Sequence, residues 1–137
     1  MRTQQLRVLV VESNATARER LHSALGDGYS LRFVSGSSEA LTELRDNPPD
    51  LLVSEVDLPD GDGLRLCEQV RSLPKAEHLP IMLVTERGSI QDKVAGFQAG
   101  ADDYVVKPVD VRLFHARVRL LYRIKGLESP ERDRPAS

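Results

Sequence analysis

The chain has 137 residues, of which 40% are apolar and 29% charged, with a net charge of −2. This length and balance predict one soluble globular domain with its own hydrophobic core. The small negative charge argues against nucleic-acid binding, and the apolar runs are too short to span a bilayer. The N-terminus lacks a signal-peptide pattern and Cys67 is the single cysteine, so we expect a cytoplasmic protein without a disulfide framework.

Five short apolar runs predict the strands of a sheet. They are rich in Val, Leu and Ile, and polar and apolar residues hardly alternate within them, which is typical of strands that are covered on both faces. In chain order the runs cover residues 6–11, 31–34, 51–54, 81–84 and 104–106.

The segments between these runs carry apolar residues at helical spacing, which predicts amphipathic helices. Ser37, Ser89 and Asp110 stand where N-caps of the second, fourth and fifth helices are expected. Helix stop signals are present at Gly26, Pro74 and Gly100. The apolar helix positions are Ala17, Leu21, Ala24, Leu41, Leu44, Leu66, Val70, Ile90, Val94, Phe97, Val111, Phe114, Val118 and Leu121.

Alternating strands and helices predict a doubly wound parallel α/β sheet with helices on both faces. In such sheets, ligands bind at the carboxyl ends of the strands, where the strand order reverses. Polar or charged residues directly follow the first, third, fourth and fifth runs, namely Glu12, Ser13, Glu55, Thr85 and Lys107. We therefore expect these side chains to form one site.

The composition changes after Ile124. Residues 125–137 include Gly126, Pro130 and Pro135 together with six charged residues, and few of the others are apolar. We expect one domain over residues 1–124, followed by a flexible tail or linker over residues 125–137.

Short motifs lie at and between the predicted strand ends. Residues 8–11 read Val-Leu-Val-Val ahead of Glu12, and Pro59 follows Glu55 by four positions. Residues 100–104 read Gly-Ala-Asp-Asp-Tyr and lead to Lys107 and a proline. In these motifs, and in their spacing back to Thr85, the chain resembles the receiver domain of two-component response regulators over residues 6–124. The resemblance implies a flavodoxin-like (CheY-like) fold of five parallel strands and five helices, and a signalling role rather than an enzymatic one.

The resemblance also implies roles for the strand-end residues. Family receivers take a phosphoryl group from a kinase histidine onto an aspartate, which binds Mg²⁺ together with an acid pair after the first strand. Thr85 and Lys107 match the positions that contact the phosphoryl oxygens. Thr85 and Tyr104 match the pair that forms the switch, and Asp57 matches the position whose backbone carbonyl is a metal ligand.

The chain departs from the family pattern at two positions. Glu55 stands at the acceptor position, and Ser13 replaces the second acid after the first strand. The longer side chain misplaces the reacting carboxylate, and an error of about 1 Å costs roughly 10²-fold in rate. Two acids, Glu12 and Glu55, face Lys107 where the family has three. We expect no catalytic residue and no cofactor, with Mg²⁺ bound weakly if at all at a degenerate site of Glu12, Glu55 and the Asp57 backbone.

Several interpretations of Glu55 remain open. It could imitate phospho-aspartate in part, with one negative charge against about −1.5 to −2 for a phosphoryl group, or belong to a degenerate switch. It could also be a buried partner of Lys107 without a signalling role. We favour a phosphorylation-independent protein-interaction module, a pseudo-receiver. The alternative is a functional Mg-dependent receiver with a non-standard acceptor. An unrelated flavodoxin-like binding protein is disfavoured, since residues 12–15 form no phosphate-cradling loop.

A second set of residues resembles the output face of family receivers. Lys93, Asp103, Arg117 and Arg119 match the surface of the fourth helix, fifth strand and fifth helix, which receivers use to dimerise or to dock a partner. We expect a protein partner, such as a signalling or effector domain or a histidine kinase, and no nucleic acid or membrane. A weak homodimer could pair Asp103 of one copy with Arg117 of the other and involve Tyr104. A solvated charged face is the alternative interpretation.

Overall fold

The computed structural model describes residues 5–125, and the expected tail beyond Lys125 lies outside them. The sheet strands are β1 (Leu6–Val11), β2 (Tyr29–Val34), β3 (Leu51–Ser54), β4 (Ile81–Thr85) and β5 (Asp103–Val106). All are parallel, in the order β2-β1-β3-β4-β5. This is the flavodoxin-like order, and its reversal lies between β1 and β3. The predicted doubly wound architecture is confirmed.

The helices are α1 (Ala15–Leu25), α2 (Ser37–Asp46), α3 (Gly63–Arg71), α4 (Ile90–Ala99) and α5 (Val111–Ile124). α1 and α5 pack on one face of the sheet, and α2, α3 and α4 lie on the other. Within the described part of the chain, every helix falls short of the length and apolar character that crossing a membrane requires.

The central strand β3 shows why polar and apolar residues do not alternate along these strands. Leu51 and Val53 point into the core beneath α1 and α5, whereas Leu52 points into the core beneath α2 and α3. All of them are at most 1% exposed, because helices cover both faces. Full burial of such an apolar side chain contributes about 1.5–3 kcal/mol relative to exposure. Ser54, the one polar residue of β3, is also buried, and its hydroxyl donates a hydrogen bond to the Glu55 carbonyl.

Most of the predicted helix limits agree with the structure. The Ser89 hydroxyl accepts a hydrogen bond from the backbone N–H of Asp92, and the Asp110 carboxylate accepts one from that of Leu113. Gly100 ends α4 in a left-handed conformation, with φ of 119°. These contacts satisfy backbone groups that have no partner inside the helix.

The N-cap prediction for α2 was wrong. Ser37 is the first helical residue and Gly36 is the N-cap, which makes no side-chain cap hydrogen bond. The Asp60 carboxylate accepts hydrogen bonds from the backbone N–H groups of Ser37 at 2.8 Å and Ser38 at 3.0 Å instead. Asp60 lies at the turn of a short antiparallel hairpin, in which Asp57–Leu58 pair with Gly61–Asp62. These hydrogen bonds, together with the favourable placement of a negative charge at the N-terminus of the helix, hold the hairpin against α2.

The apolar face of α4 is not covered. Ile90, Val94 and Phe97 have the spacing of a buried helical stripe, yet they are 76%, 47% and 48% exposed. Gly96 is the buried residue of this helix. Helical spacing identifies residues that share one face, but it does not determine whether anything packs against that face.

Candidate functional site

The register of the sheet brings the predicted site residues together. Val11 at the end of β1 pairs with Ser54 at the end of β3, so the next residues, Glu12 and Glu55, lie side by side. Thr85 is the last residue of β4, and Lys107 directly follows β5. Glu12, Glu55 and Thr85 are all buried. The cleft at this edge has a volume of about 500 Å³, and Glu12, Glu55, Lys107, Ser13 and Asp57 are among the residues that line it.

Lys107 is the centre of the cluster. Its ammonium group donates a hydrogen bond of 2.7 Å to Glu12 Oε1 and one of 2.8 Å to Glu55 Oε1. The second oxygen of Glu12 accepts a hydrogen bond from the backbone N–H of Asn14 at 3.0 Å. One cation is therefore shared by two buried carboxylates, which leaves a formal charge of −1 on the three side chains.

The second oxygen of Glu55 is also occupied. Glu55 Oε2 accepts hydrogen bonds from the backbone N–H groups of Val56 at 2.6 Å and Asp57 at 3.0 Å. Burial raises the pKa of Glu55, but hydrogen bonds from Lys107, Thr85 and the Asp57 backbone outweigh this effect and hold the pKa below its ordinary value. Glu55 is therefore ionised at neutral pH.

Lys107 keeps its proton for the complementary reason. Burial lowers the pKa of the ammonium group, whereas the hydrogen bonds and charges of Glu12 and Glu55 raise it, and the net direction is upward. The buried pair thus consists of full charges that stabilise one another, as buried ion pairs require.

The carboxylates that could hold a magnesium ion are already paired with a cation. Mg²⁺ requires near-octahedral oxygen ligands, usually one or two carboxylates that are free to approach it. Here the Lys107 ammonium already contacts both Glu12 and Glu55, and Ser13 is an exposed hydroxyl residue next to them. In the part of the chain that the structure describes, residues 5–125, no three His, Cys, Asp or Glu side chains are placed to hold a metal ion.

Tyr104 lies inward, near the same pocket. It is 6% exposed, and its hydroxyl donates a hydrogen bond of 2.7 Å to the backbone carbonyl of Arg87. The Arg87 guanidinium in turn contacts the Asp57 carboxylate, and the Arg87 backbone N–H points to the Thr85 hydroxyl at 3.4 Å. Thr85 and Tyr104, which the resemblance expects to form the switch, are therefore connected through the loop that follows β4.

Two glycines permit close approaches around the site. A Cβ atom at Gly63 would overlap the backbone carbonyl of Glu55, so glycine allows α3 to start against the pocket. A Cβ atom at Gly96 would lie 2.7 Å from the Tyr104 ring, so glycine makes room on α4 for the inward ring. Gly96 was missed in the sequence, although a glycine within a helix is an unfavourable choice that often has a packing reason.

The predicted output-face residues are only partly placed as expected. Lys93 and Arg119 are exposed, and Asp103 is the first residue of β5 rather than the residue before it. Arg117 donates a hydrogen bond of 2.8 Å to Asp103 of the same chain, so the charges expected to meet across a dimer already form an internal pair. Tyr104 is buried and does not contribute surface to this face.

Arg87 was also missed in the sequence analysis. Its side chain forms contacts of 2.8–3.0 Å with both carboxylate oxygens of Asp57, thirty residues away in the chain. Its position two residues after Thr85 was the available signal, because residues at a strand end of this sheet lie close to the site.

The family model of the response regulator receiver domain matches residues 8–119. The chain therefore belongs to the response regulator receiver domain family, whose members are signalling modules of two-component systems. The resemblance found in the strand-end motifs is confirmed at the level of the family.

Relatives of known name support this assignment. Response regulator MprA of Mycobacterium ulcerans (strain Agy99) is 40% identical over 127 residues, which cover 92% of this chain and 54% of the relative. Response regulator MprA of Mycobacterium sp. (strain KMS) is 41% identical over 133 residues, covering 96% and 56%. The chain thus spans about half the length of these curated relatives.

Solved structures show the same fold. A crystal structure from Chloroflexus aurantiacus J-10-fl, assigned as a response regulator, matches with a TM-score of 0.84 and 38% identity, covering 88% of this chain and 99% of that one. The crystal structure of a two-component response regulator from Clostridium difficile matches with a TM-score of 0.80 and 28% identity, covering 87% and 97%.

Proposed function

We propose that this receiver domain acts as a protein-interaction module and accepts no phosphoryl group at Glu55. The observation that carries the proposal is the Lys107 ammonium, which lies 2.7 Å from Glu12 Oε1 and 2.8 Å from Glu55 Oε1. The resemblance gives the corresponding lysine the task of contacting phosphoryl oxygens. In this chain the Lys107 ammonium is already paired with the carboxylates of Glu12 and Glu55.

Phosphoryl transfer depends mainly on positioning and on neutralising the charge of the transferred oxygens. Both requirements are weakened in the pocket. Glu55 Oε1 contacts Lys107 and Glu55 Oε2 accepts two backbone hydrogen bonds, so an attack would first break one of these interactions. Ser13 supplies no carboxylate to hold the metal ion that would neutralise the incoming group.

Partial imitation of phospho-aspartate is the form of this proposal that we favour. Glu55 is ionised and accepts a hydrogen bond from Lys107, and the Tyr104 ring is buried, as expected of the inward position. A carboxylate that serves only as a salt-bridge partner would not require the buried tyrosine or the Arg87 backbone contacts that join Tyr104 to Thr85. These contacts support a signalling role for Glu55 beyond structural pairing.

The direct test is intact-mass spectrometry after incubation with acetyl phosphate and Mg²⁺. We expect no mass gain for the natural chain, and a gain of one phosphoryl group for the double variant Ser13→Asp with Glu55→Asp, which restores the family pattern. Glu55→Gln is the matched control that removes the carboxylate. A stable phosphoryl group mapped to Glu55 in the natural chain would overturn the proposal in favour of a working receiver with a non-standard acceptor.

We further propose that the partner surface comprises α4, β5 and α5, and that a second copy of the chain can occupy it weakly. Its support is the exposed apolar stripe of Ile90, Val94 and Phe97 beside the exposed Lys93. In a two-fold contact both copies bury the same apolar residues, so each residue contributes twice to the interface.

A further inference from the structure

One exposed ion pair ties the loop after β4 to the hairpin after β3. Arg87 Nε and Nη2 donate to the Asp57 carboxylate at 2.8–3.0 Å, in a geometry that engages both of its oxygens. Asp57 lies two residues after Glu55, and Arg87 lies two residues after Thr85. The pair therefore joins the two segments that leave the pocket.

The same arginine also holds the inward tyrosine. The Arg87 backbone carbonyl accepts the 2.7 Å hydrogen bond from the Tyr104 hydroxyl, while the Arg87 side chain is held by Asp57. The Tyr104 ring lies against Gly96, and its centroid is 6.4 Å from that of Phe97. A path of direct contacts thus runs from Asp57 through Arg87 and Tyr104 to the exposed stripe of α4.

We propose that the Asp57–Arg87 pair is a latch that holds Tyr104 inward, and that its opening switches the α4 surface of this domain. The inference rests on the proposed function in one respect: a pocket that takes no phosphoryl group requires another input. The latch supplies that input, because its state depends on the charges that surround an exposed ion pair rather than on phosphoryl chemistry at Glu55.

The exposure of the latch makes it responsive. The side chains of Arg87 and Asp57 are 52% and 60% exposed, so water and salt reach both charges. Exposed pairs contribute little to stability and are screened by salt. Because the pair contributes little free energy, a modest electrostatic change is sufficient to open it and so to shift the position of Tyr104.

Fluorine NMR of the protein labelled with 3-fluorotyrosine tests the latch. The chain has three tyrosines, so Tyr104→Phe identifies the Tyr104 signal beside those of Tyr29 and Tyr122. We expect Asp57→Asn and Arg87→Gln each to move this signal towards that of free fluorotyrosine and to increase its solvent isotope shift. Raising NaCl from 0.05 to 1 M should move the natural chain in the same direction and leave both variants nearly unchanged.

Matched controls separate the latch from general loss of charge. Arg32→Gln breaks the Arg32–Glu43 pair on β2 and α2, also 2.8 Å long and largely exposed at the arginine, and should leave Tyr104 unmoved. The charge-reversed variant Asp57→Arg with Arg87→Asp should restore the natural Tyr104 signal. An unchanged Tyr104 signal in both Asp57→Asn and Arg87→Gln overturns the inference. The measurement uses no phosphoryl donor, so its result is independent of whether Glu55 is phosphorylated.

Discussion

The ammonium nitrogen of Lys107 lies 2.8 Å from Oε1 of Glu55, although 52 positions separate the two residues in the sequence. This contact joins the end of β5 to the end of β3. Since the Lys107 side chain is 17% exposed and that of Glu55 is 10% exposed, water screens the attraction only weakly. The pair therefore matters for the stability of the fold as well as for the chemistry of the pocket.

Removing the shared cation should destabilise the domain strongly. Lys107→Met leaves Glu12 and Glu55 as neighbouring buried carboxylates without a counter-charge, and the loss of one partner from a buried pair costs about 3 kcal/mol or more. Urea unfolding at neutral pH measures the change. Lys93→Met is the control, because Lys93 is exposed on α4 and its removal should change the free energy of unfolding by less than about 0.5 kcal/mol. Equal midpoints for the two variants would contradict the central role of Lys107.

The free energy of unfolding should vary with pH in the way that the Glu55–Lys107 pair predicts. The pKa of Glu55 is lowered from its ordinary value of 4.5, so its contribution is fully present above pH 4.5 and is lost as the pH falls through the folded-state pKa. The pKa of Lys107 is raised from 10.5, so its contribution is present below pH 10.5 and is lost as the pH rises through the folded-state pKa.

We therefore expect a plateau in the Glu55–Lys107 contribution between about pH 5 and 10. Urea unfolding across a pH series should show a shallower acid limb for Glu55→Gln than for the natural chain, because the amide does not titrate. The acid limb of the natural chain and that of the variant should differ below pH 4.5. Identical slopes in that range would show that Glu55 is not held ionised by its partners.

Magnesium binding should improve as the family pattern is restored. The natural chain offers Glu12 and Glu55, both engaged by Lys107, so we expect weak binding at most. Ser13→Asp adds a carboxylate and should strengthen binding, and the further change Glu55→Asp should strengthen it again. Isothermal titration with MgCl₂ measures the series, and Ser13→Asn is a neutral control that should add nothing. If the natural chain binds Mg²⁺ as tightly as the double variant, this account of the pocket charges is wrong.

The effect of Gly96→Ala on the free energy of unfolding should depend on whether the Tyr104 ring is present. In a helix interior alanine is favoured over glycine by about 1 kcal/mol, but the new Cβ would lie 2.7 Å from Tyr104 Cδ2. We expect Gly96→Ala to destabilise the natural chain by about 1–3 kcal/mol, as overpacking does. In a Tyr104→Ala background the same change should be neutral or stabilising. Denaturant unfolding of the four proteins forms a double-mutant cycle, and additive effects would show that the ring and Gly96 do not interact.

Self-association should be weak and should depend on the apolar stripe of α4. Because Arg117 is paired with Asp103 of its own chain, we expect Val94→Asp to reduce association more than Arg117→Glu does. Ser23→Asp is the control, since Ser23 is exposed on α1, outside the proposed surface, and its replacement should leave association unchanged. Analytical ultracentrifugation at two salt concentrations should show a monomer at low concentration. A dimer that tolerates Val94→Asp would place the contact on another surface.

The fold was predictable because its signals are local. Continuous apolar runs mark the strands, and Glu12, Glu55, Thr85 and Lys107 stand directly after them, so the parallel order alone brings them to one edge. The pairing of Glu55 with Lys107 followed from opposite charges at that edge. The second contact of Lys107, with Glu12, depends on the position of the ammonium group in the pocket. The spacing of residues in the sequence does not determine that position.

Other contacts depend on distances that the sequence does not reveal. Asp60 caps α2 across more than twenty residues, and Arg87 reaches Asp57 across thirty, through flexible side chains on loops. The exposure of Ile90 and Phe97 was missed for a different reason: the helical spacing on α4 shows a shared face, whereas coverage depends on how the neighbouring elements pack.

The counter-charge of the Glu55 pocket belongs to the polypeptide itself. A phosphoryl group is acquired from a donor and later lost by hydrolysis, so it records a past event for as long as it survives. The Glu55 carboxylate and the Lys107 ammonium are both permanently attached, so their contact can change only through a reversible conformational change. A receiver that works in this way keeps no covalent record of a past signal. Its conformation depends on the present concentration of its partner and on the ionic conditions, and it reverts when these return to their earlier values.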